Sequence, residues 1–130
     1  MSEILVIDDE PRLLNLLKRV LEEAGYSVAT AENGRMGLQV FNEVQPKLII
    51  TDILMPEMDG IDVIRTFLED HKSVKIIAIS GGSRHLSADF TLQMAHSFGV
   101  EKTLFKPFSN QEILSAVEAS IGQPGKPTSK

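Results

Sequence analysis

The 130-residue sequence contains no cysteine, which excludes disulfide bonds and thiolate metal sites and is compatible with a reducing compartment. It also lacks an excess of basic residues, since 13 lysines and arginines stand against 18 aspartates and glutamates and give a net charge of -5. Such a balance argues against direct binding of nucleic acid through this chain. No apolar run is long enough to span a bilayer, and no basic segment followed by an apolar stretch opens the sequence. We therefore expect a cytoplasmic protein without a membrane partner.

The composition is that of a folded globular protein, with 42% hydrophobic and 24% charged residues. A chain of this length is sufficient for one domain with one core. Residues 123–130 contain two Pro, two Lys and one Gly and no apolar residue. We therefore expect a single domain over residues 1–122, followed by a flexible tail or the start of a linker.

Short apolar runs rich in β-branched residues predict the strands. Continuous apolarity within a run indicates burial on both faces, as in a parallel sheet covered by helices. The segment at 26–31 alternates more and is expected to be an edge strand. The other predicted strands cover residues 4–7, 48–50, 76–79 and 103–105.

Helix-like patterns lie between these runs. The first, at 11–24, has Pro11 in its first turn and Gly25 as its stop. The last, at 109–121, opens with a capping box from Ser109 to Glu112. The remaining predicted helices cover residues 34–44, 60–70 and 87–98. Strand therefore alternates with helix five times, which predicts an α/β fold with a parallel five-stranded sheet and helices on both faces.

Polar residues end four of the predicted strands. Asp8 and Asp9 follow the first, Asp52 the third, Ser80 the fourth and Lys106 the fifth. Ligand sites of open parallel sheets lie at the carboxyl ends of the strands, so these side chains are expected to converge. Crowded carboxylates favour a hard divalent cation, with Mg2+ as the natural candidate. A carboxylate beside such an ion and a lysine is suited to accept a phosphoryl group.

Four segments in this order and spacing resemble the receiver domain of the response regulators of two-component signalling, including the single-domain chemotaxis response regulators. They are VIDDE at 6–10, DILMPEMDG at 52–60, ISG at 79–81 and FKPF at 105–108. The resemblance covers roughly residues 3–121. It implies a flavodoxin-like (βα)5 three-layer sandwich with strand order 2-1-3-4-5.

The resemblance also implies the roles of the acidic residues. Asp52 would accept the phosphoryl group from a phosphohistidine on a partner histidine kinase or phosphotransfer protein. Asp9, Asp52 and the backbone carbonyl of Leu54 would bind Mg2+, with Asp8 acting largely through a bound water. The protein would then be a signalling switch that catalyses only its own phosphotransfer and autodephosphorylation, and not an enzyme with a diffusible product.

The remaining roles concern the lysine, the serine and the output surface. Lys106 would pair with the phosphoryl oxygens, Ser80 would hydrogen-bond to them, and the bond before Pro107 is a candidate cis peptide. Movement of Ser80 would switch the face formed by the fourth helix, the fifth strand and the last helix, which would bind an unknown downstream protein or form a homodimer. The sequence departs from the family pattern at Thr103, where an aromatic switch residue is usual. Lys106 also follows Ser80 by 26 positions, a longer interval than is common.

Other functions fit the residues less well. An aspartate-dependent phosphohydrolase generally needs a second acid placed for acid–base catalysis, whereas Leu54 stands two residues after Asp52. A dinucleotide carrier would have a glycine-rich loop where this sequence has Asp-Asp-Glu-Pro. A receiver-like interaction module that works without phosphorylation stays an alternative. The acidic pair, Asp52, Ser80 and Lys106 argue against it, whereas Thr103 leaves it open.

Simpler structural interpretations also exist for single residues. Asp8 and Asp9 could cap the first helix, Lys106 could be a surface lysine, and Ser80 could belong to an ordinary strand-to-helix turn. The three histidines have no metal-ligand spacing, and we assign them no chemistry.

Overall fold

A computed structural model of the protein describes residues 3–52, 74–80 and 102–122. The helices expected at 60–70 and 87–98, the residue Leu54, the three histidines and the segment 123–130 lie outside the described residues. In the described ranges, no helix combines the length and the apolarity needed to cross a membrane.

Five strands form one sheet in the order β2-β1-β3-β4-β5, and every neighbouring pair is parallel. The strands are β1 (Ile4–Ile7), β2 (Val28–Ala31), β3 (Leu48–Asp52), β4 (Lys75–Ser80) and β5 (Lys102–Phe105). The predicted fold class and strand order are therefore confirmed, including the position of β2 at an edge. The third strand is longer than predicted, because Thr51 and Asp52 pair in register with β4 although they are polar.

The described helices are α1 (Pro11–Glu23), α2 (Gly34–Val44) and α3 (Asn110–Ile121). The bounds of α2 match the prediction, whereas α1 ends one residue early because Ala24 serves as its C-cap. The capping box predicted for α3 is present, with Ser109 and Glu112 each accepting a hydrogen bond from the other's backbone N–H. Asn33 caps α2 by accepting from the N–H of Met36 at 2.9 Å.

Two apolar clusters cover the two faces of the sheet. Strand β1 is fully buried and divides its side chains between them, with Ile4 and Val6 on one face and Leu5 and Ile7 on the other. The first cluster contains apolar residues of α1 and α3, and the second contains Phe41 of α2. The described part of the chain thus has the expected layers of helix, sheet and helix. Continuous apolar runs were needed because each central strand contributes to both clusters.

Helix α2 packs very closely on β1 at Gly37. A Cβ atom at this position would lie 2.5 Å from Cδ1 and 3.0 Å from Cγ1 of Ile7, whose side chain is fully buried. A side chain here would have to displace the buried Ile7 side chain, so the close approach of the helix to the sheet, and not an unusual backbone angle, favours glycine.

The segment between α1 and β2 also differs from the prediction. Tyr26 precedes the strand instead of opening it, and its N–H bonds to the carbonyl of Leu21 at the end of α1. Its buried side chain donates a hydrogen bond of 2.8 Å to the carbonyl of Gly122, at the end of α3. Tyr26 therefore links the ends of the two helices that share one face of the sheet.

Candidate functional site

The candidate site lies at the carboxyl edge of the sheet, where the order of the strands reverses between β1 and β3. Asp8 directly follows β1, and Asp52 is the last residue of β3. Strand β4 ends beside them at Ser80, which lies opposite Phe105 in the parallel register, and Lys106 follows β5. In doubly wound sheets such a reversal leaves a crevice in which ligands bind. The topology therefore brings the predicted strand ends to one place.

Three carboxylates are close together in this crevice. Asp8, Asp9 and Asp52 each offer an oxygen, and these three oxygens lie within 4.8 Å of one another. Asp8 and Asp52 are buried, whereas Asp9 is exposed. Such a cluster is costly without a cation, and its hard oxygen ligands suit Mg2+.

Asp8 is held by the turn that leads into α1. Its Oδ1 accepts a hydrogen bond of 2.8 Å from the N–H of Glu10. Its Oδ2 is buried and accepts no hydrogen bond from the described residues. The structure therefore leaves one buried carboxylate oxygen available at the cluster, as a ligand or a bound water would require.

The environment of Asp8 disfavours its charged form. Burial, followed by the negative charge of Asp52, raises the pKa of Asp8 from 3.8 to about 7. The N–H of Glu10 and the ammonium of Lys106 act in the opposite direction but do not offset this. Without a cation, the cluster therefore retains a proton at pH values at which an ordinary aspartate is ionised.

Lys106 is the cation that the described residues supply to the cluster. Its Nζ donates a hydrogen bond of 2.9 Å to Oδ2 of Asp52, and it lies 3.7 Å from Oδ2 of Asp8 and 3.8 Å from Oε1 of Glu10. Burial acts to lower the pKa of Lys106, but the hydrogen bond to Asp52 and the charges of the three carboxylates outweigh it and raise the pKa. Lys106 is therefore a fully charged group directed at the carboxylate of Asp52.

The simpler interpretations of the acidic pair and of Lys106 do not hold. Neither Asp8 nor Asp9 caps α1, because the N-cap is Glu10 and no side chain bonds to the helix start there. Lys106 is not an ordinary surface lysine, since 28% of its side chain is exposed and it bonds to the buried Asp52. Asp8 instead stabilises the turn that precedes the helix.

The other predicted site residues are placed less completely. Ser80 is the last residue of β4, and only its backbone is described. The peptide bond between Lys106 and Pro107 is cis. Thr103, at the position predicted to act in switching, has a buried hydroxyl that finds no hydrogen-bond partner among the described residues. Leu54, predicted to offer its carbonyl to Mg2+, lies outside them.

One residue of the site was missed by sequence reasoning. Glu10 belongs to the segment VIDDE, yet no role followed from its position in the sequence. The structure places its carboxylate beside Lys106. Its position three residues after a strand, where a short capping side chain is usual, is the signal that could have drawn attention to it.

The fold and the site together define a class of protein. It is a doubly wound α/β domain that has, at its switch point, an acidic cluster and a lysine bonded to a buried aspartate. The sequence profile of the family described as "Response regulator receiver domain" matches residues 4–118. The chain belongs to this family, which confirms the predicted resemblance. It is thus a receiver domain of the two-component systems, and receiver domains are not conventional enzymes.

Individual relatives agree with this assignment. The chain is 31% identical over 120 residues to the alkaline phosphatase synthesis transcriptional regulatory protein PhoP of Bacillus subtilis, covering 92% of this chain and 48% of that protein. It is 33% identical over 120 residues to the transcriptional regulatory protein SrrA of Staphylococcus aureus, with the same two coverages. The chain therefore spans about half the length of these curated relatives.

Solved structures show the same fold. A response regulator receiver domain protein from Clostridium thermocellum superposes with a TM-score of 0.83 at 31% identity, over 93% of this chain and 94% of that one. The chemotaxis protein CheY4 of Vibrio cholerae gives a TM-score of 0.83 over 93% of this chain and 99% of that one, but at 24% identity it speaks for the fold alone.

Proposed function

We propose that this receiver domain is a phosphoacceptor in which Asp52 receives the phosphoryl group of a phosphohistidine on a partner histidine kinase or phosphotransfer protein. The observation that carries the proposal is the setting of the Asp52 carboxylate. It is almost fully buried at the end of β3, hydrogen-bonded to Lys106 and adjacent to Asp8 and Asp9. The site therefore combines one nucleophilic carboxylate with two further carboxylates and an ammonium group.

The acidic cluster is suited to Mg2+. Asp9, Asp52 and the backbone carbonyl of Leu54 would hold the ion, and Asp8 would bind it mainly through a water molecule. The fit is supported by the buried Oδ2 of Asp8, which has no hydrogen-bond donor among the described residues. When bound, Mg2+ neutralises negative charge on the transferring group.

The residues of the chain account for the transfer step. An oxygen of Asp52 forms a bond to phosphorus as the phosphorus–nitrogen bond to the kinase histidine breaks, and the imidazole nitrogen keeps the electron pair and takes up a proton. Lys106 then moves from the carboxylate oxygen to the phosphoryl oxygens, as a lysine does at other phosphate sites. The aspartyl phosphate is later hydrolysed, which returns Asp52 to its free form.

Phosphorylation would be read out at the edge of the sheet that carries β5. The phosphoryl group offers strong acceptor oxygens, which Ser80 would approach, and this movement favours another packing of the neighbouring segment. Thr103 lies opposite Ala78 in the register of β4 and β5, so it is within the region that would move. The surface would bind a downstream protein or a second copy of the chain.

Thr103 also supports a second candidate function, a receiver-like interaction module that works without phosphorylation. Its buried hydroxyl has no described partner, and the aromatic switch residue usual in the family is absent. A module of this kind would bind its partner equally well with and without the phosphoryl group.

Intact-mass spectrometry tests the phosphoacceptor proposal. The chain is incubated with Mg2+ and a small-molecule phosphodonor such as acetyl phosphate, beside an Asp52→Asn variant that keeps the size of the side chain. We expect one labile phosphoryl adduct that requires Asp52 and Mg2+. An adduct that persists in the variant would refute the assignment of Asp52, whereas no adduct in a chain that binds Mg2+ would favour the interaction module.

A further inference from the structure

Three described carboxylates lie near the ammonium of Lys106, those of Asp8, Glu10 and Asp52. Of these, only Glu10 has no role in the proposed phosphoacceptor site. Its side chain is 61% exposed and lies 3.8 Å from the ammonium, measured from Oε1 to Nζ. It is not part of the group of three carboxylates whose oxygens lie within 4.8 Å of one another. Glu10 therefore contacts the lysine at the site without belonging to the acidic cluster.

The fold of the turn does not require a glutamate at this position. Glu10 is the N-cap of α1, but its side chain makes no capping hydrogen bond. Its backbone is held on both sides, because its N–H bonds to Asp8 and its carbonyl accepts from the N–H groups of Leu13 and Leu14. Short side chains are preferred at N-caps, so helix capping does not account for the carboxylate.

The backbone hydrogen bonds of Glu10 instead limit the positions that its carboxylate can take, and one of these is beside Lys106. Asp8 and Glu10 belong to one turn, and both approach Lys106, Asp8 from the buried side and Glu10 from the exposed side. The ammonium has three N–H donors, of which one bonds to Asp52 at 2.9 Å. Glu10 thus supplies an attraction toward solvent that opposes the pull of the two buried carboxylates.

We propose that Glu10 is a positioning residue for phosphoryl transfer, which holds the ammonium of Lys106 at the open rim of the site. This inference rests on the proposed function, because Lys106 has to leave the Asp52 carboxylate for the phosphoryl oxygens as the group arrives. With Glu10 in place, the ammonium is shared between the nucleophile and the rim. Without it, Lys106 pairs with Asp8 and Asp52 alone and is withdrawn from the position that the incoming group occupies.

The test compares the rate of labelling by acetyl phosphate, at saturating Mg2+, in the wild type, Glu10→Gln and Glu23→Gln. Glu23 is a matched control, because it is an exposed glutamate on the same helix that pairs with Arg19 at 3.5 Å and lies about 20 Å along the helix from Glu10. We expect Glu10→Gln to slow labelling by about two- to fivefold, as the loss of one exposed ion pair can. The control should keep the wild-type rate, and Glu10→Asp should recover part of the loss.

A double-mutant cycle separates positioning from a general effect of charge. If Glu10 acts through Lys106, the effect of Glu10→Gln disappears in a Lys106→Met background, and Mg2+ affinity changes by less than about threefold. An effect of the same size in both backgrounds, or no effect in either, would refute the proposal while leaving Asp52 as the acceptor. A wild-type chain that takes no label at all would refute both proposals.

The melting temperature provides the structural readout. An exposed ion pair contributes little to stability, so Glu10→Gln should shift it by no more than about 3 °C. A larger fall would show that Glu10 maintains the turn itself, which would overturn the positioning role.

Discussion

Replacing Asp8 by Asn should make the protein more stable in the absence of Mg2+ near pH 8. Asn keeps an oxygen that can accept the hydrogen bond from the N–H of Glu10 but removes a charge from the buried cluster. The wild type pays for that charge in the folded state, because burial and the neighbouring Asp52 raise the pKa of Asp8 to about 7. Removing the charge therefore removes an unfavourable interaction and leaves the turn intact.

The pH dependence follows from the direction of the shift. The pKa of Asp8 in the folded protein lies above the ordinary 3.8 of the unfolded chain, so the folded state binds the proton more tightly. Its contribution to the free energy of unfolding is complete in acid and is lost as the pH rises from 3.8 to about 7. At 1.36 kcal/mol per pKa unit the whole loss is at most ~4 kcal/mol, of which about 2–3 kcal/mol falls between pH 5 and pH 8.

The difference in free energy of unfolding between the wild type and Asp8→Asn is measured by urea unfolding. Both chains are unfolded in the presence of a chelator, at about pH 5 and at about pH 8. The advantage of the variant should grow by about 2–3 kcal/mol between the two pH values. Asp9→Asn is the matched control, since it removes the same charge from an exposed member of the cluster and should change stability by about 0.5 kcal/mol or less. A difference between Asp8→Asn and wild type that does not vary with pH would refute the reasoning.

Mg2+ should reduce the stability advantage of Asp8→Asn over the wild type. A cation that binds only the folded state stabilises it in proportion to the logarithm of its concentration over the dissociation constant. The wild type should therefore gain more from added Mg2+ near pH 8 than Asp8→Asn, which has one fewer charged oxygen to offer. An equal gain in both chains would contradict the role of Asp8 in holding the ion.

Two further substitutions test the packing that positions the site. Gly37→Ala should lower the free energy of unfolding by about 1–3 kcal/mol, because the new Cβ would lie 2.5 Å from Cδ1 of Ile7; urea unfolding with no loss of stability would show that α2 moves aside freely. Tyr26→Phe should lower the free energy of unfolding by about 0.5–1.5 kcal/mol, because it removes the hydrogen bond to Gly122. It should also speed amide hydrogen exchange at the end of α3, and unchanged exchange there would mean that the bond does not hold the helix end.

Much of the fold was predictable from local patterns. The apolar run of β1 indicated a strand buried on both faces, and both apolar clusters receive its side chains. The capping box at Ser109 indicated where α3 begins, and the structure has it there. These predictions succeed because burial on both faces and helix capping depend on residues that lie within a few positions of each other.

Predictions of where strands end and where turns lie were less accurate. Strand β3 continues through Thr51 and Asp52, which pair with β4, although neither residue continues the apolar run. The segment at Tyr26 was expected to be strand, but it closes the end of α1 and bonds to Gly122. In both cases a contact with a distant part of the chain decides the local conformation, and such a contact leaves no local signal.

The sequence by itself determined which residues stand at the strand ends, and so it named Asp8, Asp9, Asp52 and Lys106 as neighbours. Only the tertiary structure decided how they interact. The bond between Lys106 and Asp52 joins residues 54 positions apart, and the contact between Lys106 and Glu10 crosses most of the chain. The raised pKa of Asp8 comes from its burial and from the charge of Asp52. Distances and desolvation depend on how the strands are ordered and packed in three dimensions, whereas residue type and spacing specify only which groups are able to meet.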